Sequence, residues 1–166
     1  MDKKIKIAFL SGVMLISSTA QVQAATATTT MLVTATVLTS CLVTALPLAF
    51  GNYDPSSVTD RTTTTTTTVT CTGVANNYTL AMNAGTGSGA TVAARKMTFG
   101  ASTLNYSVYT TAAHTTVWGD GTAGTGTVTG NGVLGVTNHT VYGVIPAGQS
   151  PNAGAYSDTI NITLTY

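Results

Sequence analysis

Two segments of this chain have apolar residues at every second position, mostly with threonine between them. Because successive side chains of a β-strand point to opposite faces of a sheet, each segment predicts a strand with one apolar face. Threonine favours strands over helices and makes up about a fifth of the chain. No stretch after residue 24 has a helical period, so the chain is predicted to be all-β. The two apolar rows are Met31, Val33, Ala35 and Val37, and Ile160, Ile162, Leu164 and Tyr166.

The first 24 residues have the composition of an export signal. Lys3, Lys4 and Lys6 form a basic start, and residues 7–16 are an apolar stretch too short to span a bilayer. Small residues up to Ala24 suit cleavage. We therefore expect an exported protein with a signal peptide at 1–24, an N-terminal extension at 25–37 and one β-sandwich domain at 38–166.

Removal of that leader leaves three basic side chains against four aspartates, a net charge of −1. Glutamate is absent from the chain. Binding to nucleic acid or to an anionic membrane surface needs clustered cations that neutralise phosphates. Both are poor candidate partners for this protein. The charged residues are Arg61, Arg95 and Lys96, with Asp54, Asp60, Asp120 and Asp158.

The two cysteines, Cys41 and Cys71, allow one intramolecular disulfide in an oxidising compartment. Two buried free thiols are the alternative. A metal site is disfavoured, because no other cysteine or histidine lies nearby in the sequence to complete a tetrahedral set.

Further strand signals follow the cysteines. The threonine run 62–68 predicts a strand, because β-branched residues suit a pleated surface. About seven short strands separated by turn residues favour a β-sandwich. An extended segment at 47–53 is expected to turn at Asp54-Pro55. The other predicted inward rows are Val69 and Cys71; Tyr78, Leu80 and Met82; Leu104, Tyr106 and Val108; and Val141, Gly143 and Ile145.

No motif in the sequence points to catalysis or to a cofactor. Residues 119–124 match the spacing G-x-G-x-x-G, but no helix is predicted after them, so an ordinary loop is expected. His114 and His139 lie outside any metal-binding motif, and no nucleophile elbow or acidic pair occurs. Trp118, with Tyr109 nearby, is the one candidate for contact with a surface ligand such as a sugar. A tryptophan half-buried in the sandwich is the alternative.

Short sequence pieces, taken in order, resemble the spore coat protein U domain family, which includes pilin subunits of archaic, Csu-type chaperone-usher pili. The pieces extend over nearly the whole chain after the leader, and it is their order together with a terminal aromatic strand that carries the resemblance. They are Cys41-Leu42-Val43, residues 48–53, residues 69–72, Tyr106, Val108 and Tyr109, Trp118-Gly119, Tyr142-Gly143, Gln149, and residues 154–159.

The resemblance implies an incomplete immunoglobulin-like β-sandwich that lacks its final strand and keeps a hydrophobic groove beside the last strand present. In such pilins a periplasmic chaperone fills the groove first. An outer-membrane usher then exchanges the chaperone for the N-terminal donor strand of another subunit. By position before Cys41, the donor strand corresponds to Met31, Val33, Ala35 and Val37, and the acceptor edge to Ile160, Ile162, Leu164 and Tyr166.

The function implied is that of a structural pilin subunit, which polymerises with other copies or related pilins into a cell-surface fibre for adhesion and biofilm formation. A tip adhesin or lectin-like subunit that uses Trp118 is one alternative. A spore or cell-surface coat protein of the same fold is another.

Overall fold

The computed structural model describes residues 23–73 and 77–166. Most of the expected signal peptide, residues 1–22, lies outside the described residues. By its internal contacts the chain divides into residues 1–35 and residues 36–166, and all the strands below belong to the second unit.

The described residues form eight β-strands and no helix, as an all-β chain requires. They build a five-stranded sheet in the order β1-β2-β7-β5-β4 and a three-stranded sheet in the order β6-β3-β8, and all the strand pairs are antiparallel. The strands are β1 Cys41–Ala45, β2 Arg61–Cys71, β3 Tyr78–Met82, β4 Arg95–Phe99, β5 Ser102–Tyr109, β6 Val128–Gly130, β7 Gly135–Ile145 and β8 Ile162–Thr165.

The threonine run forms most of β2, which pairs with β7 along its whole length. Alternate residues of β2 face inward, and their burial increases along the strand to Thr67, Val69 and Cys71. The β-branched side chains fit this half-buried pleated position, as the sequence predicted. At eleven residues each, β2 and β7 are longer than the short strands expected.

The core of the second unit is formed by the inward rows that the sequence predicted. Tyr78, Leu80 and Met82 of β3 are buried, as are Leu104, Tyr106 and Val108 of β5. Val141 and Ile145 of β7 complete these rows, and Phe50 packs edge-on against Tyr106. The turn expected at Asp54-Pro55 is present, because the Ser57 amide donates to the Asp54 carbonyl.

Strand β4 was not predicted, because its fully buried residue is Arg95. The guanidinium donates to the carbonyl oxygens of Asn83, Met82 and Trp118 at 2.8, 3.3 and 2.8 Å. Burial lowers the pKa of Arg95 below its ordinary value. Carbonyl partners thus hold a cation at a position that the apolar pattern would give to a hydrophobic residue.

The alternating segment 31–37 does not form a strand in this structure; residues 23–40 have no assigned secondary structure. Strand β1 begins instead at Cys41, where the alternation breaks and no strand was expected. The Met31, Val33 and Val37 side chains are more than 80% exposed. This segment therefore exposes a row of apolar side chains to solvent, and exposed apolar surface of this kind usually marks an interaction site.

Candidate functional site: an open groove between two sheet edges

Two edge strands of the sandwich lie next to each other with an apolar depression between them. β1 ends the five-stranded sheet and pairs with β2, and β8 ends the three-stranded sheet and pairs with β3. Among the described strands, neither has a second partner. Residues 43–45 of β1 and residues 160–162, which lead into β8, line the depression together. Each edge therefore offers unpaired backbone groups beside apolar side chains.

The depression continues into a cavity of about 390 Å³, and we call the whole feature the edge groove. One wall is the segment 45–50 and the other is the segment 156–162. Its floor belongs to both sheets and is mostly apolar. The floor residues are Thr65, Thr67, Met82, Met97, Tyr106, Val108 and Val141.

The first wall is held by threonines of β2. The Thr63 and Thr65 hydroxyls donate to the carbonyls of Ala49 and Leu46 at 3.1 and 3.2 Å. The Leu46 amide in turn donates to the Thr66 carbonyl. These bonds place the segment 46–49 over the inner face of β2, so that Leu48 and Phe50 border the edge groove.

The second wall is held by Asp158. Its Oδ2 accepts a 2.7 Å bond from the Tyr106 hydroxyl, and its Oδ1 accepts from the Thr86 amide, the Thr86 hydroxyl and the Thr159 amide. Burial disfavours the charged carboxylate, but these bonds outweigh burial and lower the pKa of Asp158. Burial and the bond to Asp158 raise the pKa of Tyr106. The one carboxylate that lines the edge groove is thus already well bonded.

The disulfide predicted between Cys41 and Cys71 is present. The two residues lie directly opposite each other in the β1–β2 ladder, with their Cα atoms 4.1 Å apart. The bond ties the edge strand β1, which carries one border of the edge groove, to the long strand β2.

The residues predicted as the acceptor edge have these positions in the structure. Ile160 and Ile162 line the edge groove, and Leu164 is half-buried in β8 opposite Leu80. Tyr166 lies beyond the end of β8 and is 54% exposed. The predicted donor residues Met31, Val33, Ala35 and Val37 are all exposed.

Trp118 is not a surface residue, and this corrects its assignment as a candidate ligand contact. Its side chain is fully buried, and its indole nitrogen donates to the Leu80 carbonyl at 3.1 Å. Glycine at 119 allows the close packing beside it, because a Cβ there would lie 2.4 Å from Thr125 and Val92. A buried indole with its donor satisfied cannot stack on a sugar.

The remaining sequence candidates occupy loop and structural positions. Residues 119–124 form a loop, in which Asp120 accepts bonds from the Thr122 amide and hydroxyl. His139 bonds to the Tyr78 hydroxyl at 2.6 Å, and burial lowers its pKa. His114 packs against Tyr109. Within residues 23–73 and 77–166, no three metal-ligating side chains cluster and no helix could span a membrane.

Sequence reasoning placed four floor residues of the edge groove on inward rows but missed Met97 and the burial of Thr67. Met97 belongs to the unpredicted strand β4. Thr67 lies in a run of identical residues, which gives no pattern to tell inward from outward positions. The alternation of Leu48 and Phe50 was the available signal for the first wall.

Comparison with known protein families settles the relationship of this sandwich. The model of the Spore Coat Protein U domain matches residues 27–163, most of the chain. The chain belongs to the Spore Coat Protein U domain family. No match was found among curated proteins. Membership of the Spore Coat Protein U domain family agrees with the resemblance seen in the ordered sequence pieces.

Twelve chains of solved structures match this Spore Coat Protein U domain. One belongs to the crystal structure of the CsuC–CsuE chaperone–tip adhesion subunit pre-assembly complex from archaic chaperone-usher Csu pili of Acinetobacter baumannii. The two chains share 20% identity with a TM-score of 0.58, over 79% of this chain and 41% of that one. At this identity the likeness shows the fold, an immunoglobulin-like β-sandwich. The present chain spans about two-fifths of that chain's length.

Proposed function

We propose that this protein is a structural pilin subunit, which polymerises head to tail by donor-strand exchange into a chaperone-usher surface fibre. The observation that carries the proposal is the edge groove, an apolar cleft between the free edges of β1 and β8. The same chain carries an exposed apolar row at 31–37 that could fill such a groove in another copy. The role is mechanical rather than catalytic.

The physical basis of the assembly is strand addition. The inserted strand gives ladder partners to the unpaired edge groups, while its alternate side chains enter the groove. Burial of Met31, Val33 and Val37 contributes about 5 to 9 kcal/mol before ordering costs, at about 1.5 to 3 kcal/mol for each large side chain. Ala35 adds little.

The partners in this scheme are other copies or related pilins, a periplasmic chaperone and an outer-membrane usher. A chaperone has a clear physical task here, because an open apolar groove between two sheet edges is an aggregation hazard until it is filled. One matching chain comes from a crystal structure of a chaperone–subunit pre-assembly complex, which is consistent with this task. Export to the cell surface, and a part in adhesion and biofilm formation, follow from the fibre.

The lectin-like alternative loses the residue on which it rested, because Trp118 is buried. The other alternative is a spore or cell-surface coat protein of the same fold, which would use the same strand exchange at a different location.

Deletion of residues 29–37 tests the proposal. The shortened subunit keeps β1, β8 and the edge groove, so it should still form a complex with the chaperone. It should not form multimers, which size-exclusion chromatography and electron microscopy of fibres would reveal. Normal fibres from the deletion variant would refute the assignment.

A further inference from the structure

The hydroxyl of Thr67 is the one buried side-chain polar atom of the edge groove that has no hydrogen-bond partner among the described residues. Thr67 is fully buried, and it lines the floor of the groove. A buried hydroxyl without a partner is unfavourable, and native structures rarely keep one without a reason. A strand inserted into the groove would bring this hydroxyl a partner from outside the subunit.

The neighbours of Thr67 in its own row show why it differs from them. Thr63 and Thr65 point to the same side of β2, and their hydroxyls are satisfied by the carbonyls of Ala49 and Leu46. Opposite Thr67 stands Ala45, whose backbone is held in the β1–β2 ladder. The segment that covers the first two hydroxyls therefore stops short of the third, at the point where the groove opens.

The N-terminal segment is the occupant that fits this site. Residues 23–40 contain no charged side chain, which suits a groove whose one lining carboxylate is already bonded. In a strand, the row that contains Met31 and Val33 continues backward through Thr29, Ala27 and Ala25. Thr29 is the only residue of that row, from 25 to 37, with a hydroxyl.

We infer that Thr29 of one copy hydrogen-bonds to Thr67 of another and thereby sets the register of the inserted strand. The inference rests on the proposed function, since it assumes that the segment enters the groove. Apolar side chains alone specify register weakly, because a slip of two residues, about 6.8 Å, keeps the same face inward. A slip would leave the Thr67 hydroxyl against an alanine or methionine, so only one register satisfies it.

Engineered cysteines read the register directly. A full chain with Thr29→Cys and Thr67→Cys, assembled from its chaperone complex and then mildly oxidised, should give a covalent ladder of multimers on a non-reducing gel. Two matched controls shift the first cysteine by one inward position: Ala27→Cys with Thr67→Cys, and Met31→Cys with Thr67→Cys. Stronger crosslinking in either control, or equal crosslinking in all three, overturns the register.

A double-mutant cycle tests the hydrogen bond itself. Thr29→Val and Thr67→Val keep side-chain shape, and each should speed the dissociation of multimers about fivefold, the effect of one lost hydrogen bond. The double variant should dissociate no faster than the Thr67→Val variant, because the two residues act as a pair. Thr30→Val, on the opposite face, should have no effect. Additive effects overturn the pairing.

Failure of the proposed register can be distinguished from failure of the pilin assignment. If the 29–37 deletion abolishes multimers but the crosslink forms at another position, the register is wrong and the pilin assignment stands. If multimers form without residues 29–37, both the assignment and the pairing fail.

Discussion

The hydroxyl of Tyr106 donates a 2.7 Å hydrogen bond to Oδ2 of Asp158, and this bond joins the floor of the edge groove to its second wall. Tyr106 is buried in β5, while Asp158 precedes β8 and also binds the loop at Thr86. The position of the groove wall thus depends on a polar contact between two elements that the apolar pattern does not connect.

Tyr106→Phe removes this bond and leaves Oδ2 of Asp158 without its tyrosine partner. We expect the free energy of unfolding to fall by about 1 to 3 kcal/mol, the usual cost of a lost buried hydrogen bond. Urea denaturation of the subunit measures it. Tyr109→Phe, at a half-buried position of the same strand that faces the other side, is the matched control. Equal effects of the two variants would show that the bond to Asp158 contributes nothing.

The lowered pKa of Asp158 predicts how stability depends on pH. Since its folded pKa lies below the ordinary value of 3.8, its contribution is complete above that value and is lost as pH falls through the folded pKa. Asp158→Asn should therefore lose stability at neutral pH and show a shallower decline below pH 4. Thermal melts between pH 2 and 7 measure this. Parallel curves for the two proteins would contradict the prediction.

The disulfide should stabilise the subunit against unfolding. Cys41 and Cys71 are 30 residues apart, and closing a loop of that size contributes about 3 to 4 kcal/mol in the chain-entropy model. The double variant Cys41→Ala with Cys71→Ala should unfold at a correspondingly lower urea concentration. Because β1 borders the edge groove, multimer yield should fall as well. An unchanged urea midpoint would count against the prediction.

Val33→Asp should prevent polymerisation, because it would force a carboxylate into the apolar edge groove of the next copy. Thr34→Asp is the matched control, since alternation places residue 34 on the opposite face of the strand. Both variants should keep chaperone binding and monomer stability, because residues 33 and 34 are exposed. Size-exclusion chromatography of assembled material measures the multimer yield of each variant. Equal yields for the two variants would argue against insertion of this face.

The sequence predicted the all-β class and most of the core, because both depend on local alternation. The threonine run is a strand because β-branched residues favour one in any setting. Alternation did not predict strand β4 with Arg95 buried, because the position of Arg95 depends on carbonyls contributed by residues 82, 83 and 118. Such long-range polar contacts leave no periodic signal.

The site was predictable only in part, for a related reason. Ile160 and Ile162, which line the edge groove, were singled out by alternation and the family resemblance. Thr67 and Asp158 did not, since their roles depend on which atoms remain unpaired or become bonded after the sheets pack. Trp118 was misplaced because composition alone does not tell a buried indole from an exposed one.

The most direct test of the account is whether the N-terminal segment can fill the edge groove. A chain that lacks residues 25–37 but carries a copy of residues 29–38 after Tyr166, joined by a flexible glycine-serine linker, should fold as a stable monomer. Its thermal midpoint should lie well above that of the deletion alone. A control copy with Val33→Asp and Val37→Asp should give no such increase. Equal midpoints for all three chains would contradict the central claim that this groove accepts that strand.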